Sequence, residues 1–583
     1  MKRTAPTHPA STHPAPTHPA PTQPTPTQPP SASGTPAAPA APGPRRPTAV
    51  RPPGPQTALA VLFLLALVPL CLRLPWAGDQ GLHTAVIGRL AAHLTDPGNP
   101  LVRENTPSPY YSPWMLLLAA VRRLTGLPPR GVLSLAAITG CTLLVSGVYR
   151  FVRTLTEQRW APVLALPLVV LLWGWQVFTW SGWVELTSLT LTLCYPSTLA
   201  LGLALHLWAW LQREARAGWR PLPTLALGAL GALVLLVHQF TGAVGLLGAA
   251  AVVMAAPSSR SARALLRLAV AVAVLAALLA AWPYYDFWKL LSVGDLESIH
   301  RNLYRDLLPR YGLALLALPA LVARARRHRL RDPLVLLPLL GAAVFTAGGL
   351  TGHWSWGRVW PAVMLPAQLA LAVEVTGLAA GRWRRAAGAV VATALAVGAW
   401  TQLGVAGYLL PGHEAAFARA EVDRIPAWGD DSWAAPYVHP GETVLTRDYY
   451  ALRMIPALGA YTVAPAYPDP FLPDEQQRRR DTYAFFDRDT PAGCGKAILL
   501  RYHVGWIIKS PDEGPVPADP LYATVATGPH GERLVRVRLP APLAAPDPQH
   551  DAPSPRETPG PSLREILRRP CAEDQPSSSS SPD

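Results

Sequence analysis

Asp79 and His83 stand four residues apart in Trp76-Ala77-Gly78-Asp79-Gln80-Gly81-Leu82-His83. A helix beginning near Asp79 puts both on one face. A carboxylate beside an imidazole can act as a general base with its orienting partner, and Asp79 could also ligate a metal. Asp79 is equally well placed to cap that helix, a role that needs no chemistry. Other polar groups stand out from apolar surroundings: Glu185 in Trp180-Ser181-Gly182-Trp183-Val184-Glu185, His238 before Gln239-Phe240-Thr241-Gly242, and His353 and Arg358 in His353-Trp354-Ser355-Trp356-Gly357-Arg358. Ionisable residues at membrane depth are costly and tend to be functional. Each also has a plainer reading. His238 could be a buried histidine bonded to a neighbouring helix, and Arg358 could snorkel to the interface or clamp a lipid phosphate. Trp173, Trp175, Trp180 and Trp183 fit an interfacial aromatic belt or a sugar-stacking surface. Tyr110-Tyr111-Ser112-Pro113 reads as a Pro-started helix turn, and Tyr195-Pro196 as a kink within a span.

The elements that must position these residues are membrane spans. Half of the 583 residues are hydrophobic and only 15% are charged, which excludes an ordinary water-soluble domain. Apolar runs of roughly 17 to 25 residues, long enough to cross a hydrocarbon core of about 30 Å, recur from Thr57 to Leu410. The runs are 57–75, 131–150, 160–178, 187–211, 222–238, 241–256, 264–283, 311–323, 333–350, 358–376 and 386–410, about eleven spans in all. The first is too long and too far from Met1 for a cleaved signal peptide. Ser112 to Gly126 is too short in its apolar core and is expected to lie along the membrane surface or re-enter it.

Charge sets the sidedness. Arginines crowd alternate loops, among them Arg150, Arg153 and Arg159, then Arg213, Arg216 and Arg220, then Arg324, Arg326 and Arg327, while the loops 179–186 and 351–357 contain no Lys or Arg. The positive-inside rule then puts the N-terminus in the cytoplasm and Asp79, Glu185, His238 and Arg358 at the outer face. The net charge of +15 is spread over these loops instead of forming one basic face, so no nucleic-acid partner is expected. Residues 1–55 are a Pro/Thr/His-rich arm expected to be disordered and cytoplasmic, and 541–583 a disordered tail. Between 411 and 540 the composition turns soluble, with strand-like runs at Glu442–Thr446, Tyr461–Ala464, Val504–Lys509 and Arg533–Leu539. No cysteine spacing suggests a metal, although Cys494 could pair with Cys571 outside the cell. The expected fold class is mainly α: a polytopic transmembrane helical bundle (56–410) with a small extracytoplasmic α/β domain (411–540) in a multi-pass protein of the cell membrane.

In chain order, the sequence offers Asp79 in the first outer loop, Tyr111-Ser112-Pro113 at a juxtamembrane helix, His238 ending a middle span, Gly357-Arg358 opening a late one, and a soluble region closing the chain. Over roughly residues 57 to 520 this order resembles the GT-C class of membrane glycosyltransferases, which contains protein O-mannosyltransferases, aminoarabinose transferases and oligosaccharyltransferase. The resemblance implies that Asp79 is the catalytic or metal-binding carboxylate. It also implies a sugar donor on a polyprenyl phosphate or diphosphate lipid that reaches the site from the bilayer, with a glycan or protein acceptor. In an inverting transfer, Asp79 would deprotonate or orient the acceptor hydroxyl, His83 would orient Asp79, and Glu185 would supply a second carboxylate. Arg358, with His238, His353 and Tyr111, would bind donor phosphate or substrate. Asp79 is followed by Gln80 and Gly81 instead of a second acid, so no acidic pair indicates a divalent metal and the cofactor stays open. Two rival readings are a lipid or polysaccharide transporter and a non-catalytic envelope scaffold. A transporter would more often show an internal repeat, and none is seen.

Overall fold

Proline opens the first turn of nine of the longer helices, where its missing N–H costs nothing and its fixed φ suits the helix. The computed structural model describes residues 54–292, 297–409, 431–516 and 518–538. Apart from Gly54 and Pro55, the arm expected at 1–55 lies outside the described residues, as do the tail at 541–583 and Cys571. The chain up to Thr401 forms helices α1 (Pro55–Arg73), α2 (Gln80–Ala92), α3 (Pro113–Thr125), α4 (Pro129–Leu155), α5 (Ala161–Leu171), α6 (Leu186–Leu191), α7 (Pro196–Ala217) and α8 (Pro221–Val237). They are followed by α9 (Gln239–Ala255), α10 (Ala262–Ala280), α11 (Glu297–His300), α12 (Leu307–Tyr311), α13 (Leu318–His328), α14 (Pro333–Thr351), α15 (Pro361–Gly377) and α16 (Arg382–Thr401).

Among the described residues six helical segments are long and apolar enough to cross a membrane: Pro55–Arg73, Pro129–Leu155, Ala262–Ala280, Leu307–His328, Pro333–Thr351 and Trp354–Gly377. Three shorter apolar helices, α5, α8 and α9, accompany them. The segment expected at 160–178 is helical only to Leu171, and the one at 187–211 is broken before Pro196 into α6 and α7. Proline accounts for that break, because it disfavours the helical conformation at Tyr195 before it. α3 is a 13-residue helix of about 20 Å, too short to span. It buries Trp114, Met115, Leu118 and Ala119 and exposes Leu117 and Leu124.

The arginine-bearing helix ends meet at one end of the bundle. Arg216 donates to the Thr154 carbonyl, Arg267 to the Trp219 carbonyl at 2.6 Å, and Ser258 to the Ala215 carbonyl at 2.6 Å. Because α7 begins beside Tyr195 and α8 ends beside His238, those two residues belong to the opposite end, and Arg358 lines one cavity with them.

At that opposite end the chain after 431 builds a five-stranded sheet from β1 (Thr443–Leu445), β2 (Tyr461–Thr462), β3 (Val504–Lys509), β4 (Tyr522–Thr527) and β5 (Arg533–Val537). The order is β2-β1-β3-β5-β4, with β1 parallel to β2 and β3, and β5 antiparallel to β3 and β4. Two apolar clusters, one around Ile498, Leu499 and Val504 and one around Val444, Trp506 and Leu534, pack its faces. Strands occur at all four expected runs. β4 carries no burial alternation, being an edge strand largely open to solvent, and so left no pattern to read.

Several contacts bind this sheet region to the loop before α3. Thr462 N–H donates to the Leu101 carbonyl at 2.8 Å, Asn99 donates to Asp469 at 2.9 Å, and Arg478 pairs with Glu104 at 2.5 Å. Arg89 of α2 donates to the Gly459 carbonyl at 3.0 Å and lies 3.8 Å over the Tyr461 ring.

Candidate active site

Chain reversal between α1 and α2 requires Gly78, whose φ of +58° is left-handed and whose missing Cβ leaves the space taken by the Tyr195 hydroxyl. Tyr195 bonds to the Asp79 N–H and donates to the Ala77 carbonyl at 3.1 Å, so it holds the loop from the other side. α2 then starts at Gln80 with Asp79 in the N-cap position, yet the Asp79 side chain makes no capping hydrogen bond. Its carboxylate turns away from its own helix, which removes the plain capping explanation for this residue. Gly81, the second residue of the helix, lets α2 approach the backbone of Arg453 so closely that a Cβ would overlap its carbonyl.

The turned carboxylate meets residues from the sheet region. The Tyr467 hydroxyl donates to Asp79 Oδ1 at 2.8 Å, and Arg453 Nε lies 3.8 Å from the same oxygen. Arg453 Nε also donates to the Tyr467 hydroxyl at 3.2 Å, and its Nη1 donates to the Tyr449 carbonyl at 2.7 Å. The guanidinium lies 3.7 Å from the Tyr449 ring centre and 4.5 Å from that of Tyr467, and its side chain is 4% exposed. Burial pushes the Tyr467 phenol well above its ordinary range, with the Asp79 charge adding to the effect.

These groups line a cavity of about 860 Å³, together with His83, Tyr110, His238, Phe240 and Arg358. His83 is buried against the edge of Tyr195, ring centres 4.7 Å apart, and neither ring nitrogen has a hydrogen-bond partner among the described residues. Burial lowers its pKa to about 4, against an opposing pull from Asp79. It does not hydrogen-bond the Asp79 side chain as an orienting partner would; the only bond between the two residues is the first backbone bond of α2, His83 N–H to Asp79 carbonyl.

His238 breaks the chain between α8 and α9 with an extended backbone and caps α9, its Nδ1 accepting from the Thr241 N–H at 3.2 Å. That bond leaves the proton of a neutral ring on Nε2. Arg358, in the tight turn before α15, lies 4.4 Å from the Phe240 ring centre and 5.7 Å from that of Trp180. No carboxylate pairs with it among the described residues.

Of the seven residues given catalytic or substrate-binding roles from the sequence, four thus share one cavity: Asp79, His83, His238 and Arg358. The other three do not line it. Glu185 is buried behind Ser188, whose hydroxyl donates to Oε1 at 3.1 Å, and burial pushes its carboxyl up to about 8. His353 is exposed, 2.8 Å from the Thr351 hydroxyl and stacked on Trp356. Tyr111 is buried with its hydroxyl on the Gly98 carbonyl at 2.7 Å, and its neighbour Tyr110 faces the cavity instead. Sequence reasoning missed Arg453, Tyr449 and Tyr467, which stand in a soluble-looking segment without a motif. Tyr195 was legible only as a helix break.

Among the described residues no group of three or more His, Cys, Asp or Glu side chains is placed to hold a metal ion. The Arg453 guanidinium already occupies the cationic position beside Asp79. These residues do not fit a metal centre.

No family description matches this chain, and no curated protein matches it. Its fold is similar to that of the arabinofuranosyltransferase AftD from Mycobacteria, with a TM-score of 0.51 at 17% identity over 83% of this chain. The match takes in 40% of AftD, so the chain spans about two-fifths of that protein's length. ArnT from Cupriavidus metallidurans, solved with undecaprenyl phosphate, is similar at a TM-score of 0.47 and 17% identity over 84% of this chain and 98% of its own. The Archaeoglobus fulgidus oligosaccharyltransferase in its apo form gives 0.45 and 12% over 78% and 69%. The chain has the fold of the GT-C glycosyltransferases. Of the three, the AftD likeness carries that conclusion.

Proposed function

We propose that this chain is a membrane glycosyltransferase that moves a sugar from a polyprenyl-phosphate lipid to a cell-envelope acceptor at the extracytoplasmic face, by inversion. The observation that carries the reading is one cavity holding the Asp79 carboxylate and the Arg358 guanidinium, which has no carboxylate partner among the described residues, at the arginine-poor end of a GT-C bundle. Asp79 Oδ2 has no hydrogen-bond partner among the described residues and is the oxygen offered to an acceptor hydroxyl. The acceptor oxygen attacks the anomeric carbon as the bond to the lipid phosphate breaks. Its proton passes to Asp79, and the phosphate leaves with its charge against Arg358. Phe240 and Trp180 shield Arg358, which strengthens its pull on that phosphate. No step uses a metal. With about eleven spans and a cytoplasmic N-terminus, the cavity and the residues from 431 on would lie outside, a sidedness supported by the arginines that crowd the alternate connections. A site gathered at one end of the bundle suits transfer better than transport, which favours mid-depth sites.

The test is transfer of labelled sugar from a polyprenyl-phosphate donor. Asp79→Asn is expected to abolish incorporation at unchanged protein abundance, and full activity in that variant would remove Asp79 from the chemistry. Protease accessibility of Asp79 and of residues after 431 on different sides of the membrane would overturn the topology.

A further inference from the structure

Asp79 stands alone in its loop, so something outside that loop must fix where its carboxylate points. Arg453 and Tyr467, 374 and 388 residues further along the chain by their numbering, meet it there. Their hydrogen-bond polarity is decided by chemistry. A guanidinium only donates, so the Tyr467 hydroxyl oxygen must accept from Arg453 Nε. Its single proton is then free to go only to Asp79 Oδ1, 2.8 Å away. The chain Arg453 to Tyr467 to Asp79 therefore runs one way. It engages Oδ1 and leaves Oδ2 to the cavity.

Arg453 is itself buried and held from several sides. Its guanidinium lies between the Tyr449 and Tyr467 rings, its Nη1 is tied to the Tyr449 carbonyl, and its backbone packs against Gly81, two residues beyond Asp79. The strap that carries both residues is fastened to the bundle by Asn99–Asp469, Thr462–Leu101 and Arg89–Gly459. Arg89 lies on α2, the helix that follows Asp79, and Asn99 and Leu101 lie on the loop after that helix.

We infer that Arg453 and Tyr467 are positioning residues for transfer: acting in series, they hold Asp79 Oδ1 so that Oδ2 faces the acceptor hydroxyl, and the region after 431 thereby completes the active site. This rests on the transferase reading above. Aiming a reacting group is worth large factors in rate while contributing little to donor binding, because the donor phosphate is assigned above to Arg358 and not to this pair.

The experiment compares Tyr467→Phe, Arg453→Met and Arg453→Lys with the wild type, in lipid nanodiscs, with a polyprenyl-phosphate sugar as donor. Tyr467→Phe keeps the ring under Arg453 and loses only the hydroxyl. It is expected to lower kcat about 10- to 100-fold at unchanged donor KM, with the thermal midpoint kept. Arg453→Met should lower kcat at least as far, and Arg453→Lys should recover part of it by restoring a donor to Tyr467. In Tyr467→Phe, changing Arg453 to Lys should cost less than it does in the wild type, since the relay is cut and only the direct ion pair at 3.8 Å remains. Wild-type transfer that dies with Asp79→Asn but survives undiminished in Tyr467→Phe and Arg453→Met would overturn the positioning role and leave the transferase reading intact. Absence of transfer by the wild type with hexosyl and pentosyl donors would overturn both. A fall in kcat that merely tracks a lost thermal midpoint in Tyr467→Phe would make the pair structural.

Discussion

Replacing His83 by Phe separates a buried titrating ring from a buried apolar one of similar shape, and the structure fixes the sign and size of the difference. Burial lowers the His83 pKa from 6.5 to about 4, with the Asp79 charge opposing it. Between those values the unfolded chain binds a proton that the folded chain does not. Stability is therefore fully present above pH 6.5 and is lost as the pH falls toward 4. At about 1.4 kcal/mol per pH unit, the loss attributable to this one ring is about 3 kcal/mol. The assay is the thermal midpoint in lipid nanodiscs at pH 7.5 and pH 4.5 for both proteins. Asp79, His238, Tyr110 and Tyr195, which surround the ring, are common to both, so the subtraction leaves the His83 proton and its coupling to Asp79 and His238. The wild-type midpoint should fall by several degrees more than that of His83→Phe. At pH 7.5 the variant should be as stable as the wild type or more so, because both ring nitrogens are buried without a partner. Identical pH dependence in the two proteins would refute the argument, since the proton uptake it relies on would then occur elsewhere.

Two further substitutions test how the site is held. Gly78→Ala puts a Cβ into a left-handed turn and onto the Tyr195 hydroxyl; a cost of about 1–3 kcal/mol and at least a tenfold loss of transfer are expected, measured by thermal midpoint and labelled-sugar incorporation. Arg89→Met removes the bonds to the Gly459 and Ala460 carbonyls and the stacking on Tyr461. Limited proteolysis within 459–470 should then speed up several-fold, and an unchanged cleavage rate would mean that the strap is held by its other contacts alone.

Most of the longer helices and four of the five strands follow local rules that any reader of the sequence can apply, whereas the end of α5, the break between α6 and α7 and the edge strand β4 were not read from them. Apolar runs and first-turn prolines mark α1, α4, α14 and α15, and the alternating arginine loops separate the two ends of the bundle. Asp79, His238 and Arg358 were legible for the same reason: each is a polar residue at a break in an apolar helix, where a side chain can leave the helix surface. Which way neighbouring side chains face is a different kind of information. Tyr110 enters the cavity while Tyr111 is spent on the Gly98 carbonyl, and Glu185 is buried behind Ser188 while His353 stays outside. Those outcomes depend on which distant surface each turn packs against. The partners of Asp79 are the extreme case, since a hydrogen bond spanning 388 residues leaves no periodicity or spacing in the chain. The sequence alone placed an acid at the head of α2; only packing of the sheet region against that helix decided that its carboxylate abandons the cap and is held by Tyr467 and Arg453.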